Sequence, residues 1–390
     1  MTTSPAARKI QLTFLTRSLD YGGAQRQLIT LAKALDQNKF DISILTFYSG
    51  QPLERELDES GVRVISLDKK GRWDLFSFAR KLIRETKNLQ PDVLHSYLDL
   101  PNILALWLKR FVPARVVWGV RASAIDLKNY DWLFRLAART EQMLSRYPDL
   151  IIVNSVAARE YQLARGFPPN KLTLIRNGID TDVFKSDEKA RVKLRAEWNI
   201  SESTQLVGTV GRLDPIKDLP VFLHAASLVK HKLTDVRFAC IGPGPAAYLE
   251  ELKALGRTLG LTKCLIWPGA RFDMADVYNA LDLLVSCSRG ESFPNTIAEA
   301  MACGVPCVVT DVGDSAFVVG DCGRVVSPQN VEGLAAEICA LLATHGDVHT
   351  RRGRVRILEN FGVKQLVKLT EEAILSAVTP QPANNSTKGR

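Results

Sequence analysis

The feature that most restricts this chain is an alternation that occurs twice along it. Short apolar, β-branched runs are separated by longer stretches of helical periodicity. In the first half the strand-like runs fall at 10–15, 42–47, 62–67, 92–95, 115–120, 150–153 and 172–175, with helical patterns at 24–35, 74–87, 130–146 and 156–165. Apolar strands alternating with helices are covered on both faces, so the pattern specifies a parallel sheet between two helical layers. The stretch 177–204 is polar and charged, carries one short helix and marks an interdomain linker. The alternation then restarts, with runs at 206–210, 237–241, 264–267, 283–286 and 307–309 and helices near 219–229, 246–259, 274–280 and 296–302. Helices at 332–344, 348–359 and 363–377 close the chain, and residues 379–390 read as a disordered tail. The expected fold is α/β. Two Rossmann-like, doubly wound domains, 1–185 and 186–378, face a central cleft, and the last helix is a candidate for packing back on the first domain.

Composition removes the other classes. Of 390 residues 46% are apolar and 24% charged, which is ordinary for sizeable cores and too apolar for disorder. The 25 glycines and 18 prolines are too few for a collagen-like or low-complexity chain. The best candidate for a membrane span, 98–108, falls short of the roughly 18 residues needed and stops at Lys109-Arg110. The N-terminus lacks a small-residue cleavage site and reads as an opening strand, not a secretion signal. Charge is unevenly placed: residues 1–185 hold 28 Lys and Arg against 19 Asp and Glu, whereas 186–390 hold 23 of each. All seven cysteines lie in the second half, from Cys240 to Cys339, with no C-x-x-C pair. That usage fits reduced, buried thiols in a cytosolic protein. Five scattered histidines lack metal-ligand spacing, and no structural metal is expected.

Three segments carry chemistry. The first strand runs into Tyr21-Gly22-Gly23-Ala24-Gln25-Arg26, where a helix begins. Adjacent glycines let backbone amides approach an anion, and the helix N-terminus adds partial positive charge. Alone, the pair also serves a tight strand–helix turn, and the G-x-G-x-x-G dinucleotide fingerprint is absent. The second domain's first strand ends at Gly211-Arg212, with Lys217 where the next helix starts. A guanidinium fork and an ammonium charge at the carboxyl end of a strand suit a pyrophosphate, at about 1.5–3 kcal/mol per charged hydrogen bond. Asp214 and Asp218 are competing partners for Lys217. The third segment is Glu291-Ser292-Phe293-Pro294-Asn295-Thr296, continuing through Glu299 to Gly304-Val305-Pro306. Pro294 suits a helix start, leaving the amides near Asn295 and Thr296 toward the cleft. Glu291 precedes that helix and Glu299 lies about one turn inside it. Carboxylates accept sugar hydroxyls well, so one can hold a transferred sugar and the other a nucleotide ribose.

Together, Gly22-Gly23, Asn177-Gly178-Ile179-Asp180 with Phe184, Gly211-Arg212 with Lys217, Gly242-Pro243-Gly244-Pro245 and the Glu291-x7-Glu299 element resemble the retaining glycosyltransferases of family 4, which have the GT-B fold. The resemblance spans roughly residues 10–370. It implies metal-independent transfer of a sugar from a nucleotide diphosphate donor with anomeric configuration retained, and no cofactor beyond that donor. By position, Arg212 and Lys217 would bind the pyrophosphate and stabilise the leaving nucleoside diphosphate, UDP or GDP. Glu299 would hold the ribose, Glu291 with the backbone of Ser292, Phe293, Pro294 and Asn295 would hold the donor sugar, and Thr296 belongs to the same donor site. Gly22, Gly23 and Gly242 would admit the phosphates, and the strand end at 268–271, including Arg271, would hold the base, mainly through backbone.

On the acceptor side the candidates are His95, at the end of the strand-like run 92–95, Arg121 and Asn177. Many members of the family carry His at the end of the fifth strand, where this chain has Arg121; arginine cannot serve as a general base at neutral pH but can steady a phosphate or an anionic acceptor. His95 equally suits a packed strand end. The basic N-terminal half, with Trp and Phe interspersed at 73–84, 107–115 and 128–146, points to peripheral association with the anionic inner face of the cytoplasmic membrane and a glycan or polyprenyl-linked acceptor in cell-surface polysaccharide assembly. An amphipathic core helix with a solvated basic face explains 128–146 as well. Alternative functions on the same scaffold are a sugar-nucleotide epimerase and a non-catalytic nucleotide-sugar binder. Dispersed basic residues without strand-borne aromatic pairs argue against nucleic acid.

Overall fold

A computed structural model of the chain describes residues 8–71, 73–121, 132–344 and 347–379. Parallel strands buried on both faces need side chains that are apolar on both, and the first sheet shows this in β1 (Ile10–Thr16), β2 (Phe40–Thr46), β3 (Arg63–Ser66), β4 (Val93–Tyr97), β5 (Arg115–Val120), β6 (Leu150–Val153) and β7 (Leu172–Leu174). All of its pairings are parallel, in the order β3-β2-β1-β4-β5-β6-β7. Successive residues of a strand feed opposite cores: Phe14, Ile44 and Val117 join one cluster, while Leu15, Leu45 and Val116 join the other. The helices on these faces are α1 (Gly23–Ala34), α2 (Phe76–Leu89), α3 (Asp99–Leu108), α4 (Trp132–Leu144) and α5 (Val156–Ala164).

The second sheet repeats the plan. Strands β8 (Gln205–Val210), β9 (Val236–Ile241), β10 (Leu265–Gly269), β11 (Leu283–Ser286), β12 (Cys307–Thr310) and β13 (Arg324–Val326) pair in the order β10-β9-β8-β11-β12-β13, again all parallel. Around them lie α6 (Glu188–Glu197), α7 (Leu219–Lys232), α8 (Ala246–Thr258), α9 (Met274–Ala280), α10 (Asn295–Ala302), α11 (Ser315–Val319), α12 (Val331–Ala343) and α13 (Asp347–Asn360), and a last helix, α14 (Val363–Val378), follows them. In both sheets the strand order reverses beside the first strand, at β1/β4 and at β8/β11. Open α/β sheets bind ligands at such switch points, outside the carboxyl ends of the strands.

One feature differs from the sequence reading. The polar stretch 177–204 is no loose tether. Ile179, Phe184, Leu194 and Ile200 enter the second core, and the fully buried Arg195 donates to the Ala280 carbonyl at 2.9 Å and to Asp282 at 3.1 Å. Its polarity belongs to the outer face of α6. The chain also crosses between lobes a second time: Ile179 N–H donates to the Phe361 carbonyl at 2.7 Å, and α14 then places Leu366 and Ile374 in the core of the first lobe. Gly178 admits this crossing, because a Cβ there would lie 2.9 Å from that of Leu366. The stretch 380–390, read as a tail, lies outside the described residues.

Candidate active site

The second-lobe switch point is built on glycines. Gly211 and Gly242 end neighbouring strands with φ of 149° and 145°, and a Cβ on Gly242 would meet the Gly211 carbonyl oxygen at 1.9 Å. No other residue allows the two strand ends so close. Beyond them Arg212 is largely exposed, 3.6 Å from Asp214. The Asp214 carboxylate accepts the Ile216 amide at 3.0 Å, folding a short turn that aims Lys217 inward. Lys217 pairs with neither nearby aspartate: its ammonium lies 2.5 Å from Glu291 Oε1, which also accepts the Ser288 hydroxyl at 2.7 Å. Asp218 is instead buried under a two-pronged contact from Arg289 at 2.7 and 2.8 Å. These contacts lock the loop after β8 to the loop after β11.

Helix α10 starts at Asn295 without a side-chain cap, and so does α1 at Gly23. The two helix starts meet at the cleft, where the Asn295 side-chain amide donates to the Gly23 carbonyl at 3.4 Å and its Oδ1 accepts the Asn177 side-chain amide at 2.8 Å. Two uncapped N-termini converging on one space form an anion site from backbone alone. One turn inside α10, Glu299 is buried and accepts the Tyr278 hydroxyl at 2.7 Å. Burial lifts its pKa to about 7 against the pull of that hydrogen bond and of Arg26 across the cleft. Arg26 follows the glycine pair on α1 and ion-pairs with Glu56 at 3.4 Å. The sequence reading included it in the first motif without giving it a role.

The first lobe supplies the opposite wall. Arg121, after β5, donates to Tyr97 Oη at 2.8 Å and to Asn177 Oδ1 at 3.1 Å, and the Asn177 amide donates on to Asn295 Oδ1 at 2.8 Å. Ser292 donates to Asn154 at 2.7 Å and lies 2.8 Å from the Ser155 hydroxyl. Gly22, Gly23, Asn177, Arg121, Arg212, Lys217, Gly242, Glu291, Ser292, Asn295, Thr296 and Glu299 thus gather around the cleft. Three residues of the sequence reading have their side chains engaged elsewhere. His95 is fully buried against Phe14 and Tyr97, and burial followed by the charge of Arg121 holds its pKa down at about 3. Phe293 packs in the second core, 5.6 Å from Phe361, so only its backbone can face a donor. Arg271 is committed to Glu197 and Asp273, each at 2.6 Å.

Models of two families match the chain in register with the two lobes: Glycosyltransferase Family 4 over residues 21–183 and Glycosyl transferases group 1 over residues 204–344. A D-inositol 3-phosphate glycosyltransferase of Mycobacterium sp. strain KMS is 32% identical over 305 residues, covering 74% of this chain and 67% of the relative. The chain belongs to the family 4 glycosyltransferases. A second relative, putative glycosyltransferase EpsF of Bacillus subtilis, is 22% identical over 298 residues, 75% of this chain and 77% of its own. Among solved structures, HepE of Anabaena in complex with UDP and glucose superposes with a TM-score of 0.82 at 20% identity, covering 94% of this chain and all of that one. The GT-B arrangement of two facing doubly wound lobes accounts for why this glycosyltransferase builds its cleft from two β-sheet switch points.

Proposed function

We propose that this glycosyltransferase moves a sugar from a nucleoside diphosphate donor to a glycan or lipid-linked glycan, retaining anomeric configuration without a metal. The observation that carries this reading is the Lys217–Glu291 pair set beside the convergent N-termini of α1 and α10. A cation and bare amides suit the departing diphosphate, while Glu291 and Glu299 suit hydroxyls of the sugar and the ribose. As the anomeric C–O bond breaks, charge collects on the diphosphate. The acceptor oxygen then attacks the same face, and its proton passes to the leaving phosphate oxygen. Arg212 stabilises the same anion from an exposed position that closes on ligand. UDP and glucose in the Anabaena structure support a UDP-sugar donor.

Transfer assayed with a panel of UDP- and GDP-sugars tests the reading; a chain that binds none of them overturns it, and a trapped glycosyl–Glu291 adduct overturns the same-face route.

Association with an anionic membrane surface is part of this proposal. Among the described residues no helix is long and apolar enough to cross a membrane. Helix α4 instead exposes Trp132, Leu136 and Met143 beside Arg135 and Arg139, and Trp73 and Phe76 stand exposed before and at the start of α2. Lys128 and Tyr130 of the expected basic–aromatic segment lie outside the described residues. Such faces insert shallowly into headgroups while arginines meet anionic lipid, at about 1 kcal/mol each. Sedimentation with phosphatidylglycerol vesicles should fall sharply in Trp132→Asp/Leu136→Asp and in high salt; binding indifferent to both removes the membrane reading.

A further inference from the structure

Arg121 is a half-buried cation whose recorded partners are all neutral. Its guanidinium donates to the Tyr97 hydroxyl and the Asn177 amide oxygen and lies 4.6 Å from the centroid of the Tyr97 ring. Its Nε is buried without a hydrogen-bond partner. Among the described residues no carboxylate pairs with it, whereas Arg165, Arg176, Arg191 and Arg195 each face one within 4.0 Å. Burying a charge without a counterion is costly, and an oxyanion offsets that cost where a hydroxyl does not. Location adds the second argument. Through Asn177 the guanidinium is two hydrogen bonds from Asn295 at the head of α10, where donor sugar and acceptor would meet. The two bonds and the ring contact fix its plane before any ligand arrives, the condition for fork-like recognition of carboxylate or phosphate.

We propose that Arg121 is a specificity-determining residue that selects a reactant carrying a carboxylate or phosphate, borne either by the transferred sugar or by the acceptor. The proposal rests on the glycosyl-transfer reading. Equilibrium binding to the full chain, Arg121→Lys and Arg121→Gln tests it in two arms. One compares UDP-glucuronate with UDP-glucose; the other, with UDP present, compares inositol 3-phosphate with inositol. Wild type should prefer the anionic member of one pair by about tenfold or more. Arg121→Gln should collapse that ratio to within about twofold and Arg121→Lys should keep part of it, since a merely structural arginine would weaken both members alike. The arm that responds identifies which reactant carries the charge. A ratio unchanged in Arg121→Gln, or no anionic preference by wild type in either arm, overturns the proposal. Failure of wild type to bind UDP at all is a separate result, which overturns the glycosyl-transfer reading and this inference with it.

Discussion

Glu299 shows how one buried carboxylate ties chemistry to stability. Its pKa is raised from 4.5 to about 7, mainly by burial. The stability it contributes is therefore fully present below about pH 4.5 and is lost as pH rises through 7. Glu299→Gln should flatten that decline, seen as a smaller fall in melting temperature between pH 5 and pH 8 than wild type shows. The ionised form is the better acceptor for ribose hydroxyls, so UDP should bind more tightly as pH climbs from 6 to 8, and calorimetry on Glu299→Gln should show no such slope. Lys217→Ala removes a charged hydrogen bond worth about 1.5–3 kcal/mol and leaves Glu291 without its cation, so kcat/KM should drop by roughly tenfold to a hundredfold. At this scale the sequence shows which residue types reach strand ends and helix starts. It does not show closure: that Phe14 and Tyr97 seal His95 away, or that Lys217 passes over two sequence-near aspartates for Glu291, is decided by packing between distant segments.

Among the elements, the long parallel strands were the most legible, because burial on both faces writes a continuous apolar run. Strand β13 was missed: it has three residues on a sheet edge, with Arg324 and Val325 exposed. Helix α3 was also missed, since its apolar residues nearly surround it and the stretch 98–108 invites a hydropathy reading before a periodic one. Helix α11, five residues long, is too short for periodicity to register. The glycines at the strand ends give the sharpest test at this scale. Gly242→Ala forces a methyl into the Gly211 carbonyl at a φ that side chains rarely adopt. It should destabilise the second lobe by more than about 2 kcal/mol, visible in thermal or urea unfolding. Wild-type unfolding by Gly242→Ala would mean that β8 and β9 end farther apart.

Across the whole molecule the lobes touch through a small polar set. Asp314 of the second lobe accepts the Val156 and Ala157 amides at 3.0 and 3.1 Å, capping a helix of the first. Ser292 meets Asn154 and Ser155, and Tyr21 stacks on Phe272 with centroids 4.4 Å apart. The hydrogen bonds named here are all polar contacts that water can replace, so the lobes can part at modest cost. Asp314→Ala should raise the radius of gyration of the unliganded chain in small-angle scattering, and UDP should restore much of the compaction. Identical profiles for both proteins, with and without UDP, would contradict it. The two-lobe plan was readable from the restart of the alternation, but this closed pose was not, because the residues that latch it are ordinary Ser, Asn and Asp. The return of α14 has a consequence for synthesis. Leu366 and Ile374 complete a core whose other buried members lie between Leu12 and Ile175. At roughly 5–20 residues per second, the ribosome delivers them tens of seconds after the first lobe has emerged. Until then the nascent N-terminal half carries an open apolar groove, so the first lobe is finished only after the second has been made.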